Sequence, residues 1–475
     1  MKNTLILIIG SIVLFGCTQG PQGELVGVKD PLWYQENPYG MNYIDAGSFT
    51  MGPSDQDVPF AMNSRAKTVT VPAFYMDDTE ITNREYRQFV EFVVDSVLVD
   101  AFVEEGLADA EEFMAEEVDI VFEELYGQYL GGEYKQLSLE ERGNITAQDL
   151  LLKQWIQPGS DKYEDAYAFL QDGGDFFLTG NETFLGKIKL NPNAFSYQWW
   201  WIDFKKAASD VGKVNIADEN DLGHQVLAHE ENFVVEENTP IFPDMLAFMG
   251  DYTHSNDALA AGLKDYFMHP AYGDYPVVGV TWVQARAFNA WRTRFLNDFR
   301  RTQGEVEVQQ FRLPTEAEWE FAARGGRDLA PYPWGGPYMR NAQGCPLANF
   351  KPMRGDYVED GASYTVNVRT YSPNDYGLYQ MSGNVAEWTS TAYDELVYEY
   401  SHDLSPEYTY NAQAGEHEVM TRKVVRGGSW KDIGYYCQTG TRSFEYRDTM
   451  KSYIGFRSVM SYMGRGKSGS PEDWN

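Results

Sequence analysis

Apolar positions along this chain change their period several times, and each change marks an element. Leu5 to Phe15 is an apolar run broken only by Gly10 and Ser11. It is too short to span a bilayer as a helix, and with Lys2 before it the run has the form of a signal-peptide core. Met41 to Gly52 reads as a short strand, a turn and a second strand, and alternation resumes at Val69, Val71 and Phe74 before Tyr75–Ile81. Thr82-Asn83-Arg84-Glu85 then has the pattern of a capping box, in which hydroxyl and carboxylate satisfy each other's open amides at a helix start. Pro276-Val277-Val278-Gly279-Val280 reads as a strand, followed by a second box, Thr281 to Gln284, and by Ala285, Phe288, Trp291 and Phe295 at helical spacing. A third box, Thr315 to Glu318, opens a helix carrying Trp319, Ala322 and Ala323. Beyond Gly325 the chain is rich in Gly, Asn, Asp, Trp and Tyr, and few strands are predicted. Loops of that kind need buried hydrogen bonds or bound ions to hold them.

Between these patterned regions the character differs. Residues 91–130 hold thirteen Asp or Glu and no Lys or Arg, with Phe92, Val93, Phe102, Val103, Leu107, Phe113, Ile120, Val121 and Leu125 between them. The spacing predicts amphipathic helices with an acidic outer face, either simply solvated or a dock for a basic partner. Residues 131–268 look irregular, and a Trp199-Trp200-Trp201 cluster there anchors either a local core or an interface.

Charge narrows the classes of partner. With 71 acidic and 38 basic side chains, the 475 residues carry −33. Such a field repels phosphate backbones and anionic headgroups, so no nucleic-acid partner is expected. A 15% aromatic content supports a large core and argues against global disorder. After Cys17 only Cys345 and Cys437 remain. In an oxidising compartment they either pair or stay as two buried free thiols. The six histidines form no HExxH pair, since His224 and His229 are five apart, and no nucleophile elbow or phosphate-binding glycine loop occurs. Arg426, Arg442 and Arg457 are expected to make structural hydrogen bonds in the loop core.

Leu14-Phe15-Gly16-Cys17 resembles a bacterial lipobox. The resemblance implies cleavage before Cys17 and its acylation. Thr18 follows the cysteine, and Gln19-Gly20-Pro21-Gln22-Gly23 lacks an acidic tether; the expected location is therefore the periplasmic face of an outer membrane, lipid-anchored.

Three further segments are specific in wording and order: Arg312-Leu313-Pro314-Thr315-Glu316-Ala317-Glu318-Trp319-Glu320, then Gly377 to Trp388 around Ser382-Gly383-Asn384-Val385, then Val425-Arg426-Gly427-Gly428-Ser429-Trp430 with Ile454-Gly455-Phe456-Arg457. Together with Gly47-Ser48-Phe49-Thr50-Met51-Gly52 they resemble the sulfatase-modifying, formylglycine-generating enzyme family. The resemblance implies an α+β fold related to C-type lectins, loop-rich, with little regular secondary structure and bound calcium. It implies this plan: signal peptide 1–16, lipidated tether 17–40, the family domain in two pieces at 41–90 and 270–462, a partly helical acidic insertion at 91–269, and a tail at 463–475.

The family's copper-holding cysteine pair maps onto Asp432 and Cys437, so one thiolate is missing. Copper(I) prefers soft sulfur, and a dithiol cycle needs two, so no copper and no catalysis are expected. The histidine triad of the iron-dependent sulfoxide synthases, which share the fold, is also absent. The family's calcium positions map onto Asn349 and Asp360 with the carbonyls of Phe350 and Ala362, and onto Gln380 and Glu387 with the carbonyls of Gly383 and Val385. Hard oxygens on loops suit calcium, though the same residues are equally able to satisfy loop amides directly.

The lipobox, the opening Gly47 to Asp57 and the segment Asn349-Phe350-Lys351-Pro352-Met353-Arg354-Gly355 also resemble the gliding-motility lipoprotein family of GldK and PorK, with GldJ-type lipoproteins sharing the fold. That resemblance implies self-association into a periplasmic ring with a GldN/PorN-like protein, in type IX protein secretion. A divergent copper oxidase and a lectin-like peptide- or glycan-binding module are the alternatives.

Overall fold

The computed structural model describes residues 37–53, 65–104, 191–208, 233–250, 266–352, 358–412 and 415–463, with Gln35, Phe176 and Leu263. Two units separate: Met1–Glu36 with Met463–Arg465, and Asn37–Tyr462 with Gly466–Asn475. In the first, the Met463 amide donates to Gln35 Oε1 at 3.2 Å. The signal run, Cys17, the tether to residue 34, His224, His229 and the tail beyond 463 lie outside the described residues. All that follows concerns the second unit.

Strands β1 (Met41–Ile44), β4 (Phe74–Asp77), β7 (Phe311–Arg312) and β12 (Val459–Ser461) form one sheet in the order β1-β4-β12-β7, antiparallel throughout. Paired on both sides, β4 buries all four of its residues. Strands β8 (Ala386–Ala392), β9 (Arg422–Arg426), β10 (Ser443–Tyr446) and β11 (Ile454–Gly455) form a second sheet in the order β10-β9-β8-β11, with β8 and β11 parallel. Two hairpins complete the strands: β2 (Gly47–Met51) with β3 (Lys67–Val71), and β5 (Ser196–Ile202) with β6 (Val234–Pro240). Among the described residues after Gly325 there are thus five strand pieces, more ladder than the composition suggested.

All three capping boxes form. Thr82 and Glu85 exchange bonds at the start of α1 (Asn83–Glu104), the Thr82 amide reaching Glu85 Oε2 at 2.8 Å. Thr281 and Gln284 cap α3 (Trp282–Thr302), and Thr315 and Glu318 cap α4 (Glu316–Arg324), which ends on left-handed Gly325. Two short helices, α2 (Phe204–Ala208) and α5 (Val397–Tyr400), also occur. On α1, Tyr86, Phe89, Val90, Val93 and Val94 recur at helical spacing and are all buried. They meet α3 in an aromatic core where Tyr86 stacks on Phe288 at 5.6 Å. Burying each such ring contributes about 1.5–3 kcal/mol.

One expectation needs correction. Val277–Val280 is buried but joins no ladder; its amides reach Ile81 and Lys451 singly, and only Pro276 bridges Thr82. Gly279 turns with φ +72°, and a Cβ there would lie 2.7 Å from the Asp244 carbonyl oxygen. The run is apolar because packing surrounds it, and this turn breaks its extension. The described residues within 91–269 pack into the same body: Phe195, Tyr197, Trp199, Ile241, Phe242 and Phe267 share one core with α1 and α3. Strand geometry also resolves the tryptophan cluster. Trp199 is buried and Trp201 half-buried on one face, while Trp200 is exposed on the other. Of the acidic stretch, residues 91–104 lie in α1; the remainder, 105–130, lies outside the described residues.

Candidate functional site

Strand β9 ends at Arg426, and the chain turns on Gly427 and Gly428 with φ +89° and +66°. A Cβ on Gly428 would sit 2.7 Å from the Tyr436 carbonyl oxygen and 2.9 Å from the Cys437 nitrogen. Only glycine lets the strand end press against the 436–437 peptide, and this approach closes the loop carrying Asp432 and Cys437. Ser429 Oγ donates to Asp432 Oδ2 at 2.6 Å, and the Lys351 amide donates to the Asp432 carbonyl at 2.8 Å. Cys437 is fully buried beside Tyr332 and Phe350, and its carbonyl accepts from Ser382 Oγ at 2.7 Å. Burial first, and then the charge of Asp432, pushes the Cys437 thiol far up. Burial likewise raises Asp432, with the Ser429 hydrogen bond opposing. Without a metal, burial thus holds Cys437 as the thiol, the form that is a poor nucleophile. Cys345 is exposed and free, so the two cysteines neither pair nor are both buried.

Around this loop the motif residues form an arginine–carboxylate frame. Arg457 holds Glu387 in a fork, Nε to Oε2 at 2.7 Å and Nη2 to Oε1 at 2.6 Å, and Trp319 Nε1 donates to the same Oε2 at 2.7 Å. Glu320 accepts from Arg324 at 2.6 Å, from the Gly52 amide at 2.8 Å and from Arg426. Arg442 grips Glu316 at 2.6 Å, and the Tyr398 hydroxyl joins it at 3.0 Å. Arg426 and Arg457 are 0% exposed; they knit the loops, as their sequence context suggested. Sequence reasoning passed over Glu80, which is fully buried and accepts from Asn384 Nδ2 at 2.8 Å and the Val385 amide at 3.2 Å. Burial, then the charge of Glu387, raises Glu80 well above the carboxylate range. A lone glutamate after two aspartates carries no periodic signal that would have flagged it.

The calcium positions divide. Asp360 Oδ2 accepts the Phe350 amide at 2.9 Å and Oδ1 the Ala362 amide at 3.3 Å. Asn349 donates its amide to the Tyr364 carbonyl at 2.9 Å, which leaves its oxygen for other use. Burial raises Asp360, and no arginine or lysine stands among the causes of that shift. Among the described residues no ion pair reaches Asp360, so its carboxylate keeps lone pairs that a hard cation can use. The second set fits less well. Both oxygens of Glu387 are spent on Arg457 and Trp319, and a guanidinium already neutralises the carboxylate. In that set only Gln380 Oε1 is buried without a hydrogen-bond partner. Among the described residues, no three His, Cys, Asp or Glu side chains form a metal cluster, and no helix is long and apolar enough to cross a membrane.

With this geometry in hand, comparison places the chain. The profile of the sulfatase-modifying factor enzyme 1-like domain matches residues 33–125 and 224–462. An inactive C-alpha-formylglycine-generating enzyme 2 from Bos taurus is 34% identical over 190 residues, 39% of this chain and 50% of its own length. A formylglycine-generating enzyme from Thermomonospora curvata is 31% identical over 228 residues, 47% of this chain and 66% of its own. The chain therefore spans only half to about two thirds of these relatives. Among solved structures, PvdO from Pseudomonas aeruginosa aligns over 91% of this chain and 100% of its own, at 16% identity and a TM-score of 0.38. Treponema denticola variable protein 1 aligns over 40% and 72%, at 29% identity and a TM-score of 0.31. Both active and inactive formylglycine-generating relatives occur, and the matched residues take in nearly all of the strands, loops and frame just described. This chain belongs to the sulfatase-modifying factor enzyme 1-like domain family.

Proposed function

We propose that this protein is a non-catalytic member of its family, an outer-membrane lipoprotein anchored through Cys17 that builds a periplasmic ring with a GldN/PorN-like partner in type IX protein secretion. The observation carrying the first half is the sulfur count at the loop: Asp432 stands at the first thiol position, and Cys437 is a buried thiol pushed up by burial and by Asp432. Copper(I) offered one carboxylate and one sulfur lacks the soft ligand pair that it needs. The occurrence of inactive relatives supports the same reading. The lipobox and the gliding-lipoprotein wording of residues 47–57 and 349–355 support the second half.

A copper(I) titration tests the first half. The native chain is expected to bind no copper, and Asp432→Cys to gain a tight site; tight binding by the native chain would end the non-catalytic reading. Mild-detergent extraction tests the second half. A large particle with a second periplasmic chain in fixed ratio supports the ring, and a lone monomer counts against it.

For calcium, we infer that Asn349 and Asp360, with the carbonyls of Phe350 and Ala362, hold a structural ion. An ion there orders a loop that has few ladder bonds. Chelation is expected to lower the melting temperature of the native chain and to leave Asp360→Asn unchanged. Equal melting with and without chelator, in both proteins, counts against the ion.

A further inference from the structure

The hairpin β5–β6 has two faces, set by strand alternation. Its inner face carries Tyr197, Trp199 and Trp201 and lies against α3. There the Arg286 guanidinium of α3 sits 4.9, 4.7 and 4.7 Å from the ring centres of Trp199, Trp201 and Trp282. The outer face carries Trp200 and Ile202 on β5, paired in register with Glu236 and Val234 on β6. Trp200 is 52% exposed, Ile202 42% and Val234 38%, and Phe204, just past the strand, is 76% exposed. Three of these, Trp200, Ile202 and Val234, share one sheet face by alternation and register, an exposed apolar grouping of the kind that marks interaction sites. Among the strand residues of this face the one charged position is Glu236, to which Gln198 donates. Among the other described residues, Phe444 on β10 is also exposed within a ladder, but it pairs with buried Val424 and not with a second exposed apolar side chain.

We propose that this outer face docks an amphipathic, arginine- or lysine-rich helix of a partner protein, so that the hairpin becomes the middle layer between that helix and α3. The inner face already displays the chemistry: an amphipathic helix covers the tryptophans and presents a guanidinium to their rings. An exposed indole beside a glutamate offers the same cation both a π face and a counter-charge. A net charge of −33 opposes a second copy of this chain as occupant and favours a basic one. The choice of a protein partner rests on the assembly reading above; the surface itself rests on the exposed residues.

The probe is a synthetic amphipathic Leu/Arg helix, with a Leu/Glu helix of the same pattern as control, titrated against the full-length chain in mild detergent. The Leu/Arg helix is expected to bind, more weakly as salt rises, and the Leu/Glu helix not to bind. Trp200→Ser with Phe204→Ser is expected to weaken binding about tenfold or more, as loss of an aromatic anchor does. These side chains point outward, so near-UV dichroism should show an unchanged fold; Glu236→Lys provides a second, non-truncating variant and should also weaken the Leu/Arg helix. Unchanged binding by the variants overturns the proposal. So does a wild-type dimer that the double variant abolishes, which would make a second copy the occupant. Protection of Trp200 and Phe204 from radical labelling in the isolated chain, which would mean that the chain's own residues cover them, overturns it as well. If peptide binding fails while the periplasmic complex still extracts at fixed ratio, this surface is wrong and the assembly reading survives. If the chain binds the helix but extracts alone, the surface stands and the assembly reading fails.

Discussion

Positive charge is buried in two different ways in this molecule. In the motif frame, Arg426 and Arg457 face carboxylates, whereas at the hairpin Arg286 and, beside it, Lys423 face indole rings. Burial alone would lower both frame arginines, but the charges of Glu320 and Glu387 respectively more than reverse it, and both end above the ordinary value. Against the rings the outcome is opposite. Burial pushes Arg286 down to about 10, with Glu237 opposing. Burial and the nearby charges of Arg286 and Arg447 push Lys423 down to about 7, with Glu407 opposing. Lys423 Nζ lies 4.0 Å from the Trp282 ring centre and donates to the Tyr410 carbonyl at 2.8 Å. A π face accommodates a cation but does not replace a counter-charge in a desolvated site. The frame therefore depends on its charges, whereas the cage tolerates losing one.

The largest effect expected from that contrast is at Arg457. Arg457→Met strands Glu387 and should cost about 3–5 kcal/mol in urea unfolding, while Arg457→Met with Glu387→Leu should recover much of it. A small loss in the single variant would mean that the frame is no tighter than the cage. Arg286→Ala comes next, at about 2 kcal/mol, because it empties the space among three indoles. Hydrogen exchange in β5 and β6 should rise with it while exchange in β8 and β9 does not, and uniform loosening would deny the cage its local role.

The Lys423 prediction is about pH. A lysine lowered to about 7 in the fold and near 10.5 when unfolded binds fewer protons folded than unfolded across that window. Stability should then rise with pH above about 7, by at most about 1.4 kcal/mol per unit, and level off below it. Lys423→Met should flatten that rise and stabilise the protein at neutral pH; an unchanged slope would show that Lys423 stays charged in the fold. Smaller again is Thr281→Ala, expected to cost about 1 kcal/mol through loss of the α3 cap. The smallest is Asp432→Asn, which keeps an oxygen for Ser429 and should change stability by less than about 0.5 kcal/mol. A large loss there would make Asp432 part of the frame rather than the replacement of a reactive residue.

The three capping boxes were legible because each is complete within four residues, so no distant contact can alter its meaning. The frame arginines were legible as structural because their motif wording named the loops that they join. Val277–Val280 misled because an apolar run reports burial without saying whether another strand or a scatter of loop carbonyls receives its amides. The calcium positions depend on distant partners that no local pattern shows. Glu387 looks like a free ligand until Arg457, seventy residues further along, closes its fork, whereas Asp360 finds only backbone amides.

By itself, then, the sequence determined the family and the helix starts, since each is set by residue type at short range. Tertiary structure alone decided that residues 191–208 and 233–250 share the main core, that one tryptophan of three faces outward, and which carboxylates are already neutralised. Those outcomes depend on groups far apart in the chain meeting at separations of a few ångströms. Burial then sets their charge, and no local pattern encodes that meeting.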